Sequence, residues 1–180
     1  MARIGAANPA SEAMNPSRRH LLLAAPLLAL ARGAHALDAP AGTVVLTLSG
    51  ALQKPNREGR ADFDLAMLQR LPQRSIAAET PWYSGSHRFS GPLLRDVLAA
   101  ADAKGSKAKL VALNDYRVEI PLDDVQRYDV VLAHLLDGKP MSVREKGPLF
   151  VMYPFDTQPQ LRNAVYFSRC AWQLRSIELA

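Results

Sequence analysis

A chain of 180 residues, 48% hydrophobic and 22% charged, suits one domain that buries its own core, and neither a repeat nor a low-complexity tract interrupts it. The net charge is +5, but residues 1–36 hold four arginines against one glutamate, so only +2 belongs to the remainder. That excess is too small for a nucleic-acid surface, and no Lys/Arg run with interleaved aromatics occurs.

Residues 17–36 read SRRHLLLAAPLLALARGAHA. Two arginines precede an apolar run from Leu21 to Ala31, too short to span a bilayer as a helix. The small-x-small site Ala34-His35-Ala36 follows, so a signal peptide over residues 1–36 with cleavage after Ala36 is expected. Ser17-Arg18-Arg19 with leucines close behind is twin-arginine-like, a Sec leader being the alternative. Met14 is an alternative start to Met1, since residues 1–13 add nothing a leader needs. The expectation is an exported, periplasmic protein without a membrane span in its mature form. Cys170 is the only cysteine, so no internal disulfide can form.

The β-branched run Thr43–Leu48 predicts a strand. Asp64 can cap a short helix through Leu71, with Leu65, Leu68 and Leu71 on one face and Pro72 as its stop. Ser75–Glu79 predicts a strand leading into a polar and aromatic loop, TPWYSGSH, over Thr80–His87. A short extended piece, His87–Phe89, and a turn at Ser90-Gly91 lead to a helix with Pro92 at its first position. Leu93, Leu94, Val97, Leu98 and Ala101 lie on one face of that helix. The loop is thus anchored by an element that must pack into a core, and such loops commonly carry sites. The plainer reading makes it a surface connection with Trp82 as a core plug.

Lys104-Gly105-Ser106 marks a turn. Lys109–Leu113 and Tyr116–Ile120 alternate around Asn114-Asp115, as in a hairpin. Pro121 opens a short helix with Asp123 and Asp124 in its first turn, where the helix dipole favours them. Val130–Leu136 predicts a buried strand, Asp137-Gly138 a turn, and Gly147–Tyr153 a strand closed by Pro154. Asn163–Trp172 fits neither pattern, and Leu174–Leu179 predicts a last strand. Strands and short helices without a regular βαβ period favour α+β.

Several chemistries are excluded or disfavoured. His134 lies inside the apolar run VVLAHLL, as a hydrogen-bonded core histidine does. Ser86 and His87 are adjacent on an extended piece, so their side chains point to opposite faces, and no G-x-S-x-G elbow is present. Neither a Cys/His cluster nor a Gly-rich phosphate loop occurs. Asp123 and Asp124 read as capping charges. No catalytic and no metal-ligating side chain is therefore assigned. Polar groups beside aromatics remain: Trp82 and His87 in the first loop, Asn114 and Tyr116 at the bend, Arg144 and Lys146 before the Gly147 strand. Arg144 and Lys146 could hold an anion such as a phosphate. Their plainer reading is a solvated loop, SVREKG, with Glu145 as partial counter-charge.

The order of motifs resembles the sulfite-oxidase-type molybdopterin-binding domain family. The pieces are W-x(6)-F-x-G-x-L-L-x-D-V-L at Trp82–Leu98, N-D-Y-x-V-x-I-P at 114–121, L-A-x-x-L-x-G-x-P-M at 132–141 and K-G-P-L-F-V-x-Y-P at 146–154. A tryptophan followed by a strand, Trp172–Leu179, resembles the family's end. The resemblance implies a compact α+β fold, a mixed sheet with short helices, over residues 37–180. It also implies a molybdenum–pterin cofactor and oxygen-atom-transfer or reductase chemistry outside the cytoplasm. Active members ligate molybdenum through a cysteine just before the tryptophan segment, where this chain has Ala77-Ala78-Glu79-Thr80. Two basic residues of the family pattern are replaced by Phe150 and Ala171. The expectation is a degenerate member serving as a ligand-binding or sensing module. Trp82, His87, Asn114, Tyr116, Arg144 and Lys146 would line its pocket for a small molecule or pterin, with an envelope signalling or redox partner. The alternative is a molybdopterin-dependent oxidoreductase that holds its cofactor without a thiolate.

Overall fold

The computed structural model describes residues 37–180, so the leader expected over residues 1–36 lies outside it. The elements in order are β1 (Val44–Gly50), β2 (Arg60–Asp64), α1 (Leu65–Arg70), β3 (Gln73–Thr80), β4 (Tyr83–Pro92), α2 (Leu94–Ala100), β5 (Lys107–Ala112), β6 (Arg117–Pro121), α3 (Leu122–Arg127), β7 (Val131–Ala133), β8 (Leu135–Leu136), β9 (Lys139–Pro140), β10 (Phe150–Met152), α4 (Ala164–Arg169) and β11 (Leu174–Leu179). They form the expected α+β architecture. A five-stranded sheet runs β2-β1-β11-β5-β6, a four-stranded sheet runs β3-β4-β8-β9, and β10 pairs with β7. Only the β1–β11 pairing is parallel, joining the first strand to the last. No helix among the described residues is long and apolar enough to cross a membrane.

The core follows strand alternation. Leu46 and Leu48 of β1, Leu110 of β5 and Ile177 of β11 are fully buried, while Thr47, Ser49 and Glu178 are not. Phe89, Leu94, Val97, Phe150 and Phe155 fill the space between the sheets. Asp64 caps α1 as expected: its Oδ1 accepts from Met67 N at 2.8 Å, and its Oδ2 accepts from Ala41 N and Gly42 N at 2.9 and 2.8 Å. Those amides hold its carboxyl below the ordinary value, the Met67 N–H foremost. The apolar face of α1 is Met67 and Leu68, and Leu65 is only half-buried.

Four expectations are corrected. The stretch Thr80–His87 is a hairpin tip, not a loop, because β4 begins at Tyr83 and pairs with β3 in the register Ala78↔His87 and Glu79↔Ser86. Between Tyr83 and Arg88 no residue is buried, so its polar side chains stay at solvent while the backbone pairs. No turn occurs at Ser90-Gly91. There β4 runs on through Pro92, with Gly91 against β7, where a Cβ would meet the Leu132 carbonyl oxygen at 2.0 Å. The glycine thus serves close backbone approach. Pro92 precedes α2 instead of opening it; Leu93 is the N-cap, and Leu94 N donates to Val130 O at 2.8 Å. The run Val130–Leu136 divides into β7 and β8 in different sheets, with His134 at the break.

The remaining elements occur in the expected order, with the strand expected over Gly147–Tyr153 confined to Phe150–Met152 and Pro121 preceding α3 as its N-cap instead of opening it. The hairpin β5–β6 bends at Asn114-Asp115, where Asp115 has a φ of 63°. Asp137 and Gly138, with φ values of 49° and 78°, form the two-residue turn of the β8–β9 hairpin. The ambiguous segment becomes α4, capped by Asn163 Oδ1, which accepts from Val165 N at 3.0 Å. His134 is a core histidine whose Nε2 lies 3.0 Å from Gln73 Oε1, and burial lowers its pKa.

Candidate functional site

The hairpin tip delivers Trp82 into a cluster of rings. Trp82 packs on Phe150, Trp172 and Phe167 with centroid separations of 5.5, 5.6 and 6.0 Å, the last two edge-on. Such contacts add about 0.5–1.5 kcal/mol each beyond the apolar area they bury. Both plain readings of Trp82 therefore meet, because it plugs the core with one face and lines a cavity with the other. That cavity, of about 270 Å³, is bounded by Trp82, Trp172, Phe167, Tyr116 and Asn114. Asn114 and Tyr116 arrive from the β5–β6 bend. Asn114 Oδ1 accepts from Tyr116 N at 3.2 Å, and the Tyr116 hydroxyl donates to Ser168 O at 2.7 Å.

The tip is fixed by charge as well. Asp156 Oδ1 accepts from Glu79 N at 3.2 Å, and its Oδ2 accepts from the Ser86 hydroxyl at 3.2 Å. Arg162 closes the clamp, bonded to Asp156 at 2.5 Å and lying 3.5 Å from Glu79.

Beside the ring cavity lies a basic one of about 520 Å³, lined by Tyr83, Met141, Lys139, Arg144 and Lys146. Lys146 follows a 3-10 turn, Val143–Glu145, and holds the left-handed φ of 69°. Glu145, the expected counter-charge, lines the same cavity, as does Asp137. The Glu145 carboxylate closes a capping box, accepting from Ser142 N at 3.3 Å and Ser142 Oγ at 3.0 Å. The half-buried Lys146 instead lays its ammonium over two rings, 5.1 Å from the Tyr83 centroid and 5.8 Å from the Trp172 centroid. Tyr83 has its pKa raised, by burial first and by Glu145 second, and stays a neutral phenol. Trp172 belongs to the wall of the ring cavity and Tyr83 to that of the basic cavity, so Lys146 stands between the two. Arg144 is exposed, in keeping with the solvated-loop reading of its own side chain.

The six residues singled out from sequence therefore do not share one pocket. Trp82, Asn114 and Tyr116 meet in the ring cavity, and Arg144 and Lys146 in the basic one. His87 lines a third, polar cavity of about 530 Å³ with Ser86, Arg88 and Asp137. Asp137 also lines the basic cavity, which makes it the bridge between His87 and the lysines. Phe167 and Lys139 carry no local sequence signal, since one lies in the ambiguous segment and the other in a two-residue strand.

A model of the oxidoreductase molybdopterin-binding domain matches residues 41–156. Among solved structures, the sulfane dehydrogenase SoxCD from Paracoccus pantotrophus is similar, with a TM-score of 0.55 and 17% identity. The match covers 74% of this chain and 37% of that one, so the chain spans well under half of that protein, and the likeness is one of fold. A search of curated proteins gives no match.

The metal half of a molybdenum–pterin group does not fit the side chains present. Cys170 is 2% exposed, its thiol donates to Tyr166 O at 3.4 Å, and burial pushes its pKa up to about 12. Cys170 borders the ring cavity, but its thiol is engaged by the Tyr166 carbonyl. At the end of β3, Ala78 is fully buried and Thr80 offers a hydroxyl, buried without a partner, where an anionic sulfur would be needed. Among the described residues no group of three or more His, Cys, Asp or Glu is placed to hold a metal. The rings and cations, by contrast, suit a flat organic molecule that carries negative charge.

Proposed function

The chain belongs to the oxidoreductase molybdopterin-binding domain family, and on that premise we propose that it is a ligand-binding member that works without protein-ligated molybdenum. Its ring cavity takes a small planar group and its lysine edge takes that group's negative charge. With the twin-arginine-like leader, this describes an exported domain that senses or carries a small anionic molecule for a partner in the envelope. The reading rests on one observation, the Lys146 ammonium held over the Tyr83 and Trp172 rings and not in an ion pair with Glu145, whose carboxylate accepts from Ser142. A cation so placed binds anions presented along a ring face.

The protein has two tryptophans, and both line the ring cavity, so occupancy is visible in their emission. Benzenesulfonate, permanently charged and transparent at the excitation wavelength, is a suitable probe. Saturable quenching is expected at pH 6 with a Kd on the order of 1 mM, the affinity a ten-atom fragment reaches at about −0.3 to −0.4 kcal/mol per atom. Lys146→Ala should weaken it about fivefold, the scale of one partly exposed charge contact. Absence of quenching in the wild-type protein would overturn the reading.

A further inference from the structure

Resting on that reading of the site, we propose that His87 tunes the charge of its wall. With His87 protonated the site binds anionic aromatic ligands tightly, and with His87 neutral it binds them more weakly, because Asp137 then faces them without its partner. The geometry carries the argument. His87 Nδ1 lies 2.7 Å from Asp137 Oδ2, and its Nε2 lies 3.0 Å from the carbonyl oxygen of Ser84. A carboxylate and a carbonyl only accept, so both ring nitrogens donate, and the ring in this arrangement is an imidazolium. Asp137 is held in place whatever His87 does, because its Oδ1 accepts from Arg88 N at 2.8 Å and its own N–H donates to Arg88 O at 2.8 Å. Loss of the His87 proton therefore removes one positive charge and leaves the Asp137 carboxylate, without its partner, fixed in the wall that also holds Lys139, Arg144 and Lys146.

Other charged and titratable groups surround His87. Tyr83, whose ring is 5.3 Å from that of His87, remains a neutral phenol, with its pKa raised. On β4 the neighbour is Arg88. On β3 the residue opposite is Ala78, followed by Glu79, which faces Arg162. Asp156 is engaged by Ser86 and Arg162, and Glu145 by Ser142.

The sign follows from the direction of the shift. The Asp137 hydrogen bond, then the Ser84 carbonyl, raise the His87 pKa above its ordinary 6.5. The imidazolium is thus fully present below pH 6.5 and lost as pH rises through the raised value. The Arg88 amide and His87 lower the Asp137 pKa below 3.8, so its carboxylate is ionised throughout. Anion binding should be strong on the acid side and weaken on the alkaline side.

The test titrates tryptophan emission with benzenesulfonate and, as a neutral control, benzenesulfonamide, at pH 6 and pH 9 in low salt. Wild-type protein should bind the sulfonate about fivefold more weakly at pH 9, a difference that high salt shrinks, and the sulfonamide equally at both. The two variants should move in opposite directions. His87→Gln should bind the sulfonate at the weak level at both pH values, and Asp137→Asn at the strong level at both. Sulfonate binding that is equal at the two pH values in wild-type protein would overturn the proposal and leave the ligand site standing. Failure of both probes to bind would overturn the two together.

Discussion

Replacing Trp82 with alanine is expected to destabilise the fold by about 3 kcal/mol and to abolish probe binding. The stability term comes from losing three ring contacts at 5.5–6.0 Å and leaving a void beside the fully buried Phe150. The binding term is separate, since the same indole is a wall of the ring cavity. Trp82→Phe separates them. It keeps much of the packing, at about 1 kcal/mol of destabilisation, yet presents less surface to a flat ligand. Urea unfolding followed by circular dichroism gives the first quantity, and quenching of the remaining Trp172 gives the second. A Trp82→Ala protein as stable as wild type would mean that the hairpin tip is not docked where its rings place it.

The second large effect is expected away from the cavities. Asp124→Ala should destabilise the protein by about 3 kcal/mol, the scale for breaking a largely buried ion pair. Asp124 Oδ2 accepts from Arg169 Nη1 at 2.6 Å and from the Tyr153 hydroxyl at 2.9 Å. Both partners are left without it: Tyr153 is fully buried, and the Arg169 side chain is only 20% exposed. Tyr153→Phe removes a single hydrogen bond and should weaken stability by about 1 kcal/mol. Arg169 ends α4, which also carries Phe167 and the Ser168 carbonyl that Tyr116 grips. Loss of Asp124 should therefore loosen one wall of the ring cavity as well, and weaken the probe before the protein unfolds. Equal urea midpoints for Asp124→Ala and Tyr153→Phe would refute the ion pair's share.

Asp124 also shows where sequence reading stops. At the first turn of a helix it reads as a capping charge, and nothing nearby in the chain announces Tyr153 or Arg169, 29 and 45 residues away. What was legible is local. The β-branched run TVVLTL, Asp64 ahead of an apolar turn, and the Asp137-Gly138 signal each carry their structure within a few residues, and each appears as expected. The stretch Thr80–His87 misleads because its serines, glycine and histidine look like a loop. Pairing with β3 makes it a strand with a wet face. Proline 92 misleads because a helix start and a strand end both tolerate it; the close approach at Gly91 decides. The site was half legible. Its aromatic and basic residues stand out by type, but their division among three cavities depends on how the four-stranded sheet, the β5–β6 bend and α4 converge.

The central claim, a domain of this family that works without molybdenum, is tested most directly by composition. The full chain, expressed with its own leader in a host that makes the molybdenum cofactor, would be purified from the exported fraction. Molybdenum per protein would be measured by elemental analysis, alongside pterin fluorescence. The account predicts folded protein with a molybdenum ratio near zero. A ratio near one would contradict it.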